Sequence, residues 1–168
     1  MPNIKTIINS HNKKIIKGKD KKEIKKCNCK KFECPMKNSK TSCRQECVVY
    51  EAKVESKNET KYYIGLTENE FKKRYYGHRL DFANKTKANS TALSQYIWDL
   101  KGKKEDYQIS WKILKAVTKL KNGNKMCRLC VTEAATIMKG TKGQLNRRTE
   151  ILNKCRHQNK YLLKKLER

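Results

Sequence analysis

From Val48 the chain alternates, with Val48, Tyr50, Ala52 and Val54 set against outward residues, and the pattern resumes from Tyr62 to Leu66. Between the two runs Ser56-Lys57-Asn58 supplies turn chemistry, so the segment is expected to fold as a β-hairpin. Thr67-Glu68-Asn69-Glu70 follows directly and has the form of a capping box, in which a hydroxyl and a carboxylate satisfy free amides at a helix start. A hairpin that feeds straight into a helix restricts the chain to mixed architectures. On that helix Phe71, Tyr75, His78 and Phe82 fall on one face, and Arg74 lies at its edge, one turn from His78.

Further on, Ser90-Thr91 starts a second helix through Tyr96, Ile97, Trp98 and Leu100, ending near Gly102. Tyr107, Ile109, Trp111 and Ile113 alternate and predict a third strand. Met126 to Met138 reads as helix, Gly140 and Gly143 break it, and a basic helix is expected after Asn146. No internal repeat is present.

At 168 residues the chain suits one domain with a small appendage. Its 42 Lys+Arg against 16 Asp+Glu give +26, a field that favours polyphosphate partners and opposes self-association. Nucleic acid is the first expectation and an anionic membrane surface the second. No apolar run approaches the roughly 18 residues of a spanning helix, and Met1-Pro2-Asn3-Ile4-Lys5 opens nothing like a secretory signal, so a soluble intracellular protein is expected. Residues 1–26 form a lysine-rich block, readable equally as a solvated linker or a phosphate-binding arm.

Eight cysteines in a reducing compartment point to metal ligation rather than to disulfides. Within 27–47 the spacing Cys27-x-Cys29-x4-Cys34-x8-Cys43-x3-Cys47 offers five thiols where zinc needs four. Cys47 abuts the first strand and is readable as a small buried hydrophobe, which leaves Cys27, Cys29, Cys34 and Cys43 for zinc. Cys127-x2-Cys130 with Cys155-x-His157 supplies a second tetrahedral set, against the alternative that Cys127 and Cys130 are core residues and Cys155 incidental. Both zinc ions are expected to be structural and required for folding.

Glu133 is the only acid between Asp106 and Glu150, and it sits in the weakly polar run Val131-Thr132-Glu133-Ala134-Ala135. A carboxylate there needs a cation, supplied either by a lysine or by Mg²⁺ bound through one carboxylate, waters and a phosphate oxygen. Taken singly, His78 is an ordinary core or surface histidine, and Tyr50 and Tyr63 are ordinary strand aromatics. Together, two tyrosines on adjacent strands with an arginine and a histidine just beyond make a set suited to attack on a phosphodiester.

The same residues resemble the GIY-YIG nuclease family. Val48-Val49-Tyr50, Tyr63-Ile64-Gly65, Arg74 with His78, Glu133 and Leu145-Asn146 follow that family's motif order from Cys47 to about Asn146. Val48 stands where glycine is usual, a position of backbone and packing, and Leu66 stands where some repair-type members carry lysine. A closer similarity is to the nuclease segment of Penelope-like retroelements, carried by Cys27-Asn28-Cys29, Cys34-Pro35, Tyr63-Ile64-Gly65-Leu66-Thr67, Asn89-Ser90-Thr91-Ala92-Leu93 and Cys155-Arg156-His157. Pro2 to Asn12 resembles the segment that follows the reverse transcriptase of such elements.

The resemblance implies an α+β fold with a GIY-YIG-type three-stranded antiparallel sheet flanked by helices and a nuclease domain over 48–168. It implies single-metal hydrolysis in which Glu133 holds Mg²⁺ or Mn²⁺, Arg74 steadies charge on the phosphate, and Tyr50 or Tyr63, helped by His78, activates water. Asn146 supports the site or touches the backbone, or is only the cap of the following helix. Implied partners are double-stranded DNA, element RNA and a reverse transcriptase domain, with no membrane, in a nuclear location and within a longer polyprotein. The expected function is nicking of one DNA strand so that a 3′ hydroxyl primes reverse transcription. Its rivals are a non-cleaving zinc module that binds nucleic acid and a basic ribosome-associated structural protein.

Overall fold

The computed structural model describes residues 26–29, 34–37, 39, 41–117, 127–140 and 142–146. The expected basic arm, apart from Lys26, and the basic helix after Asn146 lie outside them, as do Cys155 and His157. The fold is α+β: strands β1 (Val48–Ser56), β2 (Thr60–Thr67) and β3 (Tyr107–Ala116), and helices α1 (Phe71–Ala83), α2 (Ala92–Gly102) and α3 (Arg128–Met138). The sheet is antiparallel in the order β2-β1-β3, so the first strand is the central one. Among the described residues no helix is long and apolar enough to cross a membrane.

Period-two alternation places Val48, Tyr50, Ala52 and Val54 on one face, all four fully buried. Against them pack Phe71 and Phe82 of α1, Leu93, Ile97 and Leu100 of α2, and Tyr63 and Ile113 from the neighbouring strands. Met36 and Cys43 enter the same core from the cysteine-rich segment. That segment therefore shares a core with the sheet.

The residues expected to face outward do so only at one end of β1. Val49 is fully buried too, in a second cluster with Ile64, Leu129 and Ile137, because α3 covers the opposite face of the sheet there. Glu51, Lys53 and Glu55, beyond the reach of α3, are half-buried or exposed.

The hairpin closes where its turn residues predict, with Ser56 N–H donating to the Glu59 carbonyl at 3.0 Å. The second helix is capped as expected: the Thr91 hydroxyl accepts from the Ser94 amide at 3.0 Å. The capping box at the start of α1 does not form. Thr67 is still in β2, paired with Val48, and its hydroxyl donates to the Asn69 carbonyl at 3.4 Å. Glu70 precedes the helix without a side-chain cap, and its carboxylate pairs with Arg44 at 3.3 Å. The first amides of α1 are satisfied by backbone instead: Phe71 N–H donates to the Gln45 carbonyl at 3.0 Å and Lys72 N–H to the Cys43 carbonyl at 2.7 Å. Strand pairing holds Thr67 extended, and the cysteine-rich segment supplies the carbonyls that local chemistry would otherwise provide.

The outer edge of β2 is covered by the chain returning after α3. Tyr62 N–H donates to the Gly143 carbonyl at 3.1 Å and Leu145 N–H to the Tyr62 carbonyl at 2.7 Å, a parallel bridge centred on Gln144. Gly143 has φ +90°, and a Cβ there would meet the Thr60 carbonyl oxygen at 2.7 Å, so the position requires glycine. Asn146 completes the cover: its amide accepts from Ile64 N–H at 2.7 Å and donates to the Ile64 carbonyl at 2.8 Å.

Candidate functional site

The register of the hairpin sets Tyr50 opposite Gly65 and Ala52 opposite Tyr63, which brings both tyrosines to the α1 side of the sheet. From α1, Arg74 and His78 approach one turn apart, as their spacing requires. Arg74 Nε–H donates to the Tyr50 hydroxyl oxygen at 3.0 Å, and that hydroxyl lies 2.8 Å from His78 Nε2. When the imidazole carries its proton on Nδ1, the phenolic O–H donates to Nε2. The three side chains form one hydrogen-bonded chain.

Gly65 is what lets them meet. A Cβ at this position would stand 2.5 Å from the Tyr50 hydroxyl oxygen, 2.7 Å from its ring and 3.0 Å from the ring of Tyr63. Trp111, opposite Ala52 on β3, makes the far wall, with ring centroids 6.0 Å from Tyr50, 5.9 Å from Phe71, 5.7 Å from Tyr75 and 5.3 Å from His78. In the sequence Trp111 signals only a strand. Its place beside His78 follows from β3 pairing with β1, which no local pattern carries.

Burial dominates the electrostatics. Tyr50 is fully buried and its phenol is pushed up to about 12, burial being the largest cause, with Arg74 pulling down and Glu133 on α3 pushing up. The Glu133 charge is thus felt at Tyr50. Burial disfavours the Arg74 charge, but the oxygens of Tyr50 and then Tyr63 outweigh it, so the guanidinium is held above its usual range. His78 is pushed down to about 3, first by burial and then by Arg74, and is neutral at physiological pH. Its Nδ1 has no hydrogen-bond partner among the described residues.

The depressed histidine has a consequence for stability. The unfolded chain takes up a proton on His78 below about pH 6.5 and the folded chain only near pH 3, so between these values stability falls as pH falls. His78→Gln removes that linkage. Thermal unfolding of wild type and variant at pH 7 and pH 4.5, with zinc present throughout, should show the smaller acid-induced drop in the variant; equal drops would refute the buried neutral state.

Glu133 lies on α3 midway between Leu129 and Ile137, the two residues that α3 buries against the sheet, and is itself half-buried. Among the described residues only the cysteine cluster groups three or more metal-binding side chains. Glu133 belongs to no such group of three, so a divalent ion held there would draw most of its shell from waters and a phosphate, as Mg²⁺ accepts. Asn146 contributes differently: its amide bonds both backbone groups of Ile64 and so ties the segment after α3 to β2.

Cys27, Cys29, Cys34 and Cys43 bring their sulfurs within 4.8 Å of one another, close enough to bind a metal such as zinc. Sulfur separations of 3.4 Å for Cys27–Cys34, 3.4 Å for Cys27–Cys43 and 3.6 Å for Cys29–Cys43 compare with about 3.8 Å around a tetrahedral zinc with Zn–S near 2.3 Å. The Cys29 amide, donating to the Cys27 sulfur, lowers the Cys27 thiol to about 7, whereas burial raises that of Cys43. Four thiolates this close require a cation.

Cys47 stands outside the cluster, buried, with its sulfur 3.6 Å from the Glu68 carbonyl and its backbone at φ 53° where the chain turns into β1. Cys127 precedes α3 and Cys130 lies in its first turn, both half-buried. Cys127 packs against the second hydrophobic cluster, and the expected partners Cys155 and His157 fall outside the described residues.

No protein-family model, curated protein or solved structure matches the chain. A buried phenol is hydrogen-bonded to a guanidinium and set against a neutral imidazole, with the Glu133 carboxylate on α3 and an arginine that can bind an anion.

Proposed function

We propose that the chain is a metal-dependent DNA endonuclease of GIY-YIG type, which nicks one strand by phosphodiester hydrolysis and is the nuclease part of a retroelement polyprotein. The observation that carries this reading is the Tyr50 hydroxyl held between Arg74 Nε at 3.0 Å and His78 Nε2 at 2.8 Å. The antiparallel sheet followed by α1 supports it, as does Val48, fully buried and filling the glycine position of the family motif as a packing residue. The +26 charge supports a nucleic-acid substrate, and the location that goes with this reading is nuclear.

In this reading Arg74 receives the scissile phosphate, and its charge steadies the pentacovalent state. As Tyr50 passes its proton to His78, the attacking water loses a proton to the Tyr50 oxygen and its own oxygen bonds to phosphorus; the bond from phosphorus to the 3′ oxygen breaks, and that oxygen takes up a proton from solvent, leaving a 3′ hydroxyl and a 5′ phosphate. Burial is the main cause that holds His78 down and the Arg74 charge the lesser one; a bound phosphodiester offsets the Arg74 part and makes the imidazole a better acceptor by that part alone. A Mg²⁺ or Mn²⁺ ion held by Glu133 would supply further charge neutralisation at the phosphate and leaving oxygen. Tyr50, bonded to both partners, is the proton-transferring tyrosine, and Tyr63 lines the same side with Arg74.

The test is nicking of supercoiled plasmid with Mg²⁺, Mn²⁺ or EDTA by wild type, Glu133→Ala, Tyr50→Phe and Tyr63→Phe. Metal-dependent nicking is expected, reduced at least 100-fold by Glu133→Ala and more by Tyr50→Phe than by Tyr63→Phe, with DNA affinity within about threefold. Equal background in all four with binding retained would replace the nuclease by a zinc-dependent nucleic-acid-binding module.

A further inference from the structure

The chain between the metal-binding cysteines and β1 does more than connect them. Residues 43–47 lie along the β2–α1 junction and hold it by three backbone hydrogen bonds: Cys47 N–H to the Glu68 carbonyl at 3.2 Å, and the Phe71 and Lys72 amides to the Gln45 and Cys43 carbonyls at 3.0 and 2.7 Å. The Arg44–Glu70 pair at 3.3 Å adds a side-chain tie between the same segments. From the other arm of the cluster, Asn28 accepts from Lys72 Nζ at 3.2 Å. Cys43 is at once a metal ligand, the acceptor for an α1 amide, and a fully buried member of the core that contains Tyr50 and Phe71. The α1 start has no side-chain cap of its own.

We propose that the four-cysteine metal site is the clamp on the N-terminal end of the catalytic helix, so that metal occupancy sets where Arg74 and His78 stand relative to Tyr50. With the ion bound, the 43–47 segment has one path, and its carbonyls face the α1 amides. Without it, the thiols separate, the carbonyl of Cys43 is no longer fixed, and the first turn of α1, with Arg74 at its end, loses its anchor. Cys43 and Gln45 are positioning residues in this account; they act through α1 and touch no substrate. The consequence for catalysis rests on the nuclease reading above, whereas the clamp itself does not.

The experiment compares zinc-loaded wild type with Cys27→Ser, which removes an exposed ligand and leaves the buried Cys43 in the core. Amide exchange of the full-length protein is followed at Phe71 and Lys72 and, as an internal reference, at Tyr50 to Val54 in the central strand. The variant at low zinc is expected to lose protection at least tenfold at Phe71 and Lys72 while the reference amides stay within twofold, with recovery as zinc is raised. Nicking should fall through kcat, with KM unchanged, over the same zinc range. Unchanged protection of the α1 amides in zinc-free protein would overturn the clamp. Equal loss everywhere would also overturn it, because the metal would then serve global folding. Wild type that does not nick would count against the nuclease alone, since the exchange arm still decides the clamp.

Discussion

Gly65→Ala is expected to destabilise the protein by about 3 kcal/mol, whereas Gly77→Ala, the same substitution twelve residues on, should stabilise it by roughly 0.5–1 kcal/mol. At Gly65 the new methyl would sit 2.5 Å from the Tyr50 hydroxyl oxygen and 2.7 Å from its ring. That ring has nowhere to retreat, being fully buried with Phe71 at 5.1 Å and Trp111 at 6.0 Å between centroids. Tyr50 must swing away, and its bonds to Arg74 and His78 break together. At Gly77, inside α1, nothing lies within 4 Å of the added methyl, so only the gain in helix propensity remains. Urea unfolding of the zinc-loaded variants measures both, and Gly65→Ala as stable as wild type would refute the close approach of Tyr50 to β2.

Arg74→Ala should lower nicking by about 10²–10⁴-fold with little change in DNA affinity. The chain has 42 Lys+Arg, so one lost cation is a small part of its attraction for phosphate. Arg74→Lys tests the geometry. Lysine keeps the charge but not the planar Nε–H that meets Tyr50 at 3.0 Å, and should recover less than a tenth of the wild-type rate. Stability is a separate readout: Tyr50 keeps its bond to His78 in both variants, and unfolding midpoints should shift by no more than about 1 kcal/mol equivalent. Full nicking by Arg74→Lys would assign Arg74 a charge role without the hydrogen bond to Tyr50.

Local pattern by itself determined the hairpin, the stripe Phe71, His78 and Phe82 of α1, the Thr91 cap of α2, the third strand and the helix carrying Glu133. In each case the signal is a side-chain period or a hydroxyl beside the amide it serves, and both reside in adjacent residues. The choice of four cysteines over the fifth was legible for a similar reason, since Cys47 abuts the strand that follows. Tertiary structure decided the rest. Val49 is buried because α3 lies under it, Trp111 meets His78 because β3 pairs with β1, and Asn146 spends its amide on Ile64 across 82 positions of sequence. Most plainly, the start of α1 is capped by the carbonyls of Cys43 and Gln45 rather than by Thr67 and Glu70. Every residue but proline carries the same N–H and C=O, so residue type does not say which distant carbonyl will meet which amide; only the folded path of the backbone does.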